Sequence, residues 1–301
     1  MTNNQVLEAE IDSAYVYTKT WKDKAFFQFC HKFAKRKTAV VGLVVIVIMA
    51  FCAIFAPMIA PYDYTAVDPI HAFQSPSGEH WFGTDVLGRD IFSRMLYGGR
   101  YSLSISLCSE GLGFCIAVVI GAIAGYFGGL VENVILRLCD VLQSLPSILL
   151  CIVVSQCLGT GLGATIIALS ISGIPTLIRL LRSSMISVRE LEYVEAARAI
   201  NAKKPVIMFK HVVSNCLAPV LVASTGAIGY KIITSASLSF LGLGIQEPMP
   251  EWGAMIAAGK AYFRYHPFLV IIPGIVIAVC CLSLNLIGDG VRDALDPKLN
   301  S

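Results

Sequence analysis

Apolar residues run along this chain in long blocks separated by shorter polar stretches. The first block extends from about Ala39 to Pro61, and others follow at about 101–127, 133–158, 162–183, 216–241 and 268–288. A helix needs about 20 apolar residues to cross a bilayer, so the pattern predicts an all-α polytopic membrane protein with six transmembrane helices. The block at 39–61 is too long and begins too late for a cleaved signal peptide, which makes it a true first span. Before it, Phe26, Phe29, Cys30 and Phe33 recur at helical spacing among Lys22, Lys24, Lys32, Lys35, Arg36 and Lys37. That spacing predicts an interfacial amphipathic helix from Trp21 to Lys37 whose cations meet anionic lipid headgroups. In the polar segment 62–100, Ile91, Phe92, Met95 and Leu96 predict a second, short amphipathic helix that ends at Gly98-Gly99.

One polar stretch between spans has a character of its own. Glu190, Glu192 and Glu195 come first and Lys203 and Lys204 last, the order that a helix dipole favours. Asn201 tolerates a left-handed stop, and Pro205 suits the first turn of a second short helix. Ala196, Ala199 and Ala202, with Ala197 beside them, leave one side of the first helix almost without bulk. Such a knob suits a groove on another protein. An ordinary loop of good helix formers fits the same composition.

The composition agrees with the block pattern. The chain of 301 residues is 56% hydrophobic and 14% charged, with a mean hydropathy of +0.71, against about 25% charged for a soluble domain. The placement of cations decides orientation. They crowd the tail before the first span and the 179–210 region, which holds Arg179, Arg182, Arg189, Arg198, Lys203, Lys204 and Lys210. The 62–100 segment has Arg89, Arg94 and Arg100, offset by Asp63, Asp68, Glu79, Asp85 and Asp90. Both termini are therefore expected in the cytoplasm. The organisation reads as a cytoplasmic tail (1–38), a first span (39–61), an extracytoplasmic segment (62–100), a core of five spans (101–288) with a cytoplasmic loop (184–215), and a second tail (289–301).

Two charges interrupt the apolar blocks. Glu110 in the second span and Lys231 in the fifth lie at similar depth, and intramembrane charges usually face partners or a water-filled path. They are expected to pair, to line the outer half of a pathway, or only to lock two helices together. Arg137 and Asp140, at i and i+3, are expected to form a local ion pair. Catalytic signatures are missing. The chain has no phosphate-binding loop, no His-Glu-x-x-His and no Gly-x-Ser-x-Gly, so no catalytic residue is expected, and nothing points to nucleic acid. The ten cysteines form no Cys-x-x-Cys pair and the five histidines are scattered, so neither a disulfide framework nor a metal site is expected. Gly159-x-Gly161-x-Gly163 joins two blocks with no strand before it and reads as a turn.

Several motifs together carry a family resemblance. They are Lys37-Thr38-Ala39-Val40-Val41-Gly42, Phe82-Gly83-Thr84-Asp85-Val86-Leu87-Gly88-Arg89-Asp90 with Ser93-Arg94, and Gly125-Tyr126-Phe127-Gly128-Gly129. Next come Tyr193-Val194-Glu195-Ala196-Ala197-Arg198-Ala199, Leu238-Ser239-Phe240-Leu241-Gly242-Leu243-Gly244, and the run from Asn285 to Pro297. In this order the chain resembles the second permease subunit of bacterial dipeptide, oligopeptide and nickel ABC importers. The resemblance implies the type I ABC importer permease fold in the inner membrane. It implies a homologous second permease, two ATPase subunits that carry ATP and Mg, and an extracytoplasmic substrate-binding protein as partners, with no cofactor on this chain. It makes 192–202 the coupling helix, with Glu192, Tyr193, Glu195, Ala196, Ala197, Arg198, Ala199 and Ala202 as ATPase-coupling residues.

Three positions depart from the family pattern. Asn201 replaces a glycine, Ser214 a proline, and Ser235 an acidic residue that the pattern often has in the fifth span. Glu110, Lys231 and Ser235 are the candidates for the translocation path. Dipeptides or short oligopeptides are the expected substrate, with nickel or a metal chelate as the alternative. A self-contained secondary transporter would place broken helices in an inverted repeat, and no such repeat is visible. A membrane-embedded enzyme would need a nucleophile or metal constellation, and none appears.

Overall fold

The structure, a computed structural model, describes residues 27–295, and among these no strand forms beyond a single bridge between Thr84 and Asp90. The helices are α1 (27–35), α2 (Lys37–Ile54), α3 (Ala56–Ile59), α4 (Ile91–Phe127), α5 (Gly129–Gln143), α6 (Ser147–Leu158) and α7 (Leu162–Val188). They continue as α8 (Glu192–Ala199), α9 (Lys204–Val206), α10 (Ser214–Phe240), α11 (Trp252–Gly259) and α12 (Phe268–Leu295). Five helical stretches are long and apolar enough to span a membrane, and α5 with α6 makes a sixth that is bent by 91°. Span number matches the hydropathy pattern. Three boundaries do not.

The first difference is at α4, which runs unbroken for 37 residues, about 55 Å at the helical rise. The short helix expected before Gly98-Gly99 is its first turns, and the glycines do not stop it. They make room for Trp252, whose indole atoms would lie 3.1–3.2 Å from a Cβ at either position. The Trp252 indole N–H donates to the Met95 carbonyl at 3.0 Å. Each mid-helix glycine costs roughly 0.5–1 kcal/mol relative to alanine, and burial of a tryptophan offsets that. The second difference is at 133–158, where the chain turns sharply between α5 and α6. Pro146 cannot donate to the helix and pushes Leu145 out of the helical region. The third is the fifth span, which starts at Lys204. It passes from α9 through a π-helical segment, Ile207–Val213, straight into α10. The loop between spans is correspondingly shorter than 184–215.

Close crossings explain three of the six family-like motifs. Gly42 lies where a Cβ would sit 2.6 Å from the Ser283 carbonyl, and Gly290 packs on Ala39 and Phe33. Arg36 pairs with Asp289 and Asp293. So α2 runs antiparallel along α12, with the start of one beside the end of the other. Phe33 packs here as well, while Trp21 to Phe26 of the expected interfacial helix fall outside the described residues. Gly113, Gly121 and Gly125 of α4 meet Ser170, Leu181 and Met185 of α7 in parallel register, and Gly288 of α12 crosses Gly226 of α10. These registers bring the starts of α2 and α9 and the ends of α4, α7 and α12 to one end of the molecule. α8 sits at that end.

At the opposite end, the 82–90 motif folds into a polar staple. Arg89 Nε donates to Asp85 at 2.7 Å and its Nη2 to Glu247 at 2.8 Å, with Arg94 3.6 Å from both carboxylates. The Arg89 hydrogen bond holds the Glu247 carboxyl below its ordinary pKa. Asp90 caps α4 by accepting from the Ser93 amide at 2.7 Å, and His80 Nδ1 lies 2.9 Å from its other oxygen. Gly88 has φ +74°, and a Cβ there would collide with the Asp68 carbonyl. Glu251, nearly fully buried, caps α11 by accepting from the Ala254 amide at 2.8 Å and also accepts from Ser102 Oγ at 3.2 Å.

Candidate functional site

The α8 knob is fixed to three spans. Val194 and Ala197 are buried in the main apolar cluster with Leu181, Met185, Met208 and Val212. Tyr193 Oη donates to the His211 carbonyl at 3.3 Å and accepts from Asn215 Nδ2 at 3.1 Å, which ties α8 to the π segment and to α10. Arg189 Nη1 donates to the Gly125 carbonyl at 3.1 Å, which ties the end of α7 to the end of α4. The knob is thus bonded to the start of the fifth span and packed against α7, whose end is in turn bonded to the end of α4. The π segment opens the backbone ladder, and there the Ser214 hydroxyl donates to the Phe209 carbonyl at 2.9 Å. A proline at 214, as in the family pattern, has no such hydroxyl.

Asn201 stops α8 in the left-handed region, with φ +57°. Its amide donates to the Arg198 carbonyl at 2.9 Å and the Ala202 amide to the Ala197 carbonyl at 3.2 Å. These two bonds are the paired closure of a Schellman motif. Asparagine meets the geometry that glycine serves in the family pattern, at the cost of its Cβ. Replacing Asn201 with Gly is expected to stabilise this turn by up to about 1 kcal/mol. The check is hydrogen exchange at the Asn201 and Ala202 amides, which slows if the turn tightens; faster exchange would count against this account.

Sequence placed the alanines on one side, and the structure divides them. Ala197 is 6% exposed and faces the chain's own core, so it belongs to the mount of α8 and not to its free surface. Glu192, Glu195, Ala196, Arg198 and Ala199 are exposed, Tyr193 is exposed but bonded inward, and Ala202 is half-buried. The exposed face also carries Ile200, 80% exposed, which sequence reasoning passed over. An isolated isoleucine after a polar helix was the available signal.

The second constellation lies between α4, α7 and α10. Lys231 Nζ is 3.5 Å from Glu110 Oε2, and both side chains are about 95% buried. The ammonium also donates to the Leu169 carbonyl. Glu110 Oε1 is buried without a hydrogen-bond partner among the described residues. Gly173 makes room for the lysine, since a Cβ there would sit 3.1 Å from Nζ. Both charges line a cavity of about 270 Å³ whose other polar walls are Ser147, Ser172, Thr176, Tyr230 and Thr234. Ser235 is buried outside that lining, and its Oγ has no partner among the described residues. Thr234, one residue earlier, takes the place expected for it.

Thr176 belongs to a second cavity as well, of about 610 Å³, lined by Asp140, Arg179, Arg182 and Ser183 towards the α8 end. Ser172, Thr176, Arg179 and Ser183 share one face of α7 at helical spacing, so a polar track joins the two cavities. Arg137 reaches Asp140 at 3.7 Å as expected, but Asp140 also pairs with Arg179 of α7, and Arg182 pairs with Glu132. The strong partners of α5 are thus on the neighbouring span.

Comparison with known proteins agrees with this architecture. Residues 117–301 match the family described as binding-protein-dependent transport system inner membrane component, and residues 26–76 match the N-terminal TM domain of oligopeptide transport permease C. The dipeptide transport system permease protein DppC of Alkalihalophilus pseudofirmus is 41% identical over 96% of this chain and 94% of its own length. The oligopeptide transport system permease protein OppC of Bacillus subtilis is 39% identical over 93% and 90%, and the glutathione transport system permease protein GsiD of Pectobacterium atrosepticum 40% identical over 91% and 91%. Among solved structures, a chain of the MetNI methionine ABC transporter in an inward-facing conformation superposes with a TM-score of 0.55 at 18% identity. It covers 67% of this chain and 96% of that one, a likeness of fold. With its helix mount, its broken third span and these relatives, the chain belongs to the binding-protein-dependent transport system inner membrane component family, the permeases of ABC importers.

Proposed function

We propose that this chain forms half of the translocation path of an ATP-driven importer for dipeptides or short oligopeptides in a bacterial inner membrane. The observation that carries this reading is the α8 knob: a small, mixed-charge exposed face on a mount bonded to the ends of α4, α7 and α10. Separate ATPase subunits would grip that face and hydrolyse ATP. A ligand shifts an equilibrium only through differential binding to its states, so ATP must favour one seating of α8 over the other. The rigid mount then passes the shift to the three spans. The cations of the 179–210 region would place the α8 end, with the start of α2 and the end of α12, in the cytoplasm. The 62–100 and 242–267 segments then face outward, where a soluble binding protein would deliver substrate. A homologous second permease would close the exposed side of the polar track, whose charged residues are Glu110 and Lys231 outward and Asp140, Arg179 and Arg182 inward.

The names of the relatives support peptides as the substrate class. The test is uptake of labelled dialanine into proteoliposomes that hold the full complex, with ATP inside and the binding protein outside. Uptake is expected to require ATP and all the subunits. Uptake by this chain alone, without ATPase partners, would sink the reading in favour of a self-contained transporter.

A further inference from the structure

The buried pair has one acceptor too many. The Lys231 ammonium spends one proton on the Leu169 carbonyl and directs another towards Glu110 Oε2 at a loose 3.5 Å. Among the described residues no donor reaches Glu110 Oε1, although the side chain is about 95% buried. A buried carboxylate oxygen without a donor is costly, and the terminal carboxylate torsion is soft. Rotation can therefore offer that oxygen to a donor that enters the adjoining cavity. The remaining polar walls, Ser147, Ser172, Thr176, Tyr230 and Thr234, are all neutral hydroxyls. Such walls bond amide groups without demanding a particular side chain. The site thus has one unsatisfied anionic acceptor, one cation already half committed, and uncharged hydroxyls around them.

We propose that Glu110 is a specificity-determining acceptor for a primary ammonium group of the transported solute, which bridges to the carboxylate from the side opposite Lys231. The proposal rests on the peptide reading above. It also fits the electrostatics of the pair: a zwitterionic peptide enters without adding net charge, and its carboxylate end can turn towards the remaining proton of Lys231. A solute with a free carboxylate but no ammonium would instead add an uncompensated anion beside Glu110, which is expensive in a low-dielectric site.

The experiment compares uptake of dialanine, N-acetyl-dialanine and N-acetyl-alanyl-lysine by the full reconstituted complex. Each rate is divided by the occupancy of the binding protein, measured separately with the same peptide. Wild type is expected to favour dialanine over its acetylated form by on the order of tenfold, the worth of one charge-assisted hydrogen bond. Recovery with the lysyl peptide assigns the site to any primary ammonium, and lack of recovery to the amino terminus; both support it. Glu110→Gln is expected to remove the preference. Because that variant leaves Lys231 unpaired, Glu110→Gln/Lys231→Met is run beside it, and equal normalised rates for free and acetylated peptide are expected there too. Equal normalised uptake of the two peptides by wild type, or an unchanged preference in the double variant, overturns the proposal and leaves the peptide reading intact. If wild type takes up neither peptide, the peptide reading itself fails, and the proposal falls with it.

Discussion

Ala196→Trp is expected to cut substrate-stimulated ATP hydrolysis in the assembled complex at least about fivefold, while membrane insertion and the unfolding profile stay as in wild type. Ala196 is exposed on α8, so an indole there projects from the free face and not into the chain's own core. On the proposed docking it enlarges a face that fits a partner's groove, and overpacking a fitted contact costs about 1–3 kcal/mol, roughly a 5- to 150-fold loss in affinity. Ala197→Trp is the contrasting substitution. Ala197 is 6% exposed among Leu181, Met185 and Met208, so its effect is on the chain's own packing and should appear as a lower unfolding midpoint. The measurement is ATPase activity with and without loaded binding protein, alongside resistance to detergent-induced unfolding. Normal stimulation in Ala196→Trp would falsify the assignment of this face to ATPase docking, and equal destabilisation by both substitutions would show that α8 has no free face.

The difference between those two alanines marks how far the sequence could be read. Alternating apolar blocks and cations fixed the number of spans, because hydropathy depends on composition and every span must satisfy it. Composition carries no direction, so the 91° turn between α5 and α6 was invisible to it, although Pro146 was a local sign. Gly98-Gly99 reads locally as a helix stop. What overrides it is Trp252, which arrives from about 150 residues away in sequence to fill the space. The inner face of α8 was open to inference, since Val194 is the one large apolar residue between Tyr193 and Ala199 and Ala197 follows it by three, on the same side. Asn201 was read correctly because the left-handed stop is a local property of the backbone. Equal depth foretold the meeting of Glu110 and Lys231. Ser235 was a candidate through the family pattern, and helical phase does not separate it from Thr234, which lines the cavity, since residues three and four beyond Lys231 lie close to the same face.

The same pair gives the second large expectation. Lys231→Met leaves the Glu110 carboxylate buried without its cation, and breaking a buried pair from one side typically costs about 3–5 kcal/mol. Glu110→Gln/Lys231→Met removes both charges and is expected to return to within about 1 kcal/mol of wild type, because replacing both partners spares the desolvation of each. Unfolding of the purified chain in mixed micelles with rising denaturing detergent measures all of these. The coupling energy is read from the departure of the double variant from the sum of the single ones. Additive losses would mean that the 3.5 Å approach of Lys231 and Glu110 carries no interaction energy, and the account of the pair would fail. Near-recovery of stability with lasting loss of uptake carries a sharper meaning. A chain that folds as well with two neutral side chains has no structural need for two ions in the bilayer. Loss of uptake would then place the need for the two ions in transport and not in folding, in line with the cavity beside them and the unsatisfied oxygen of Glu110.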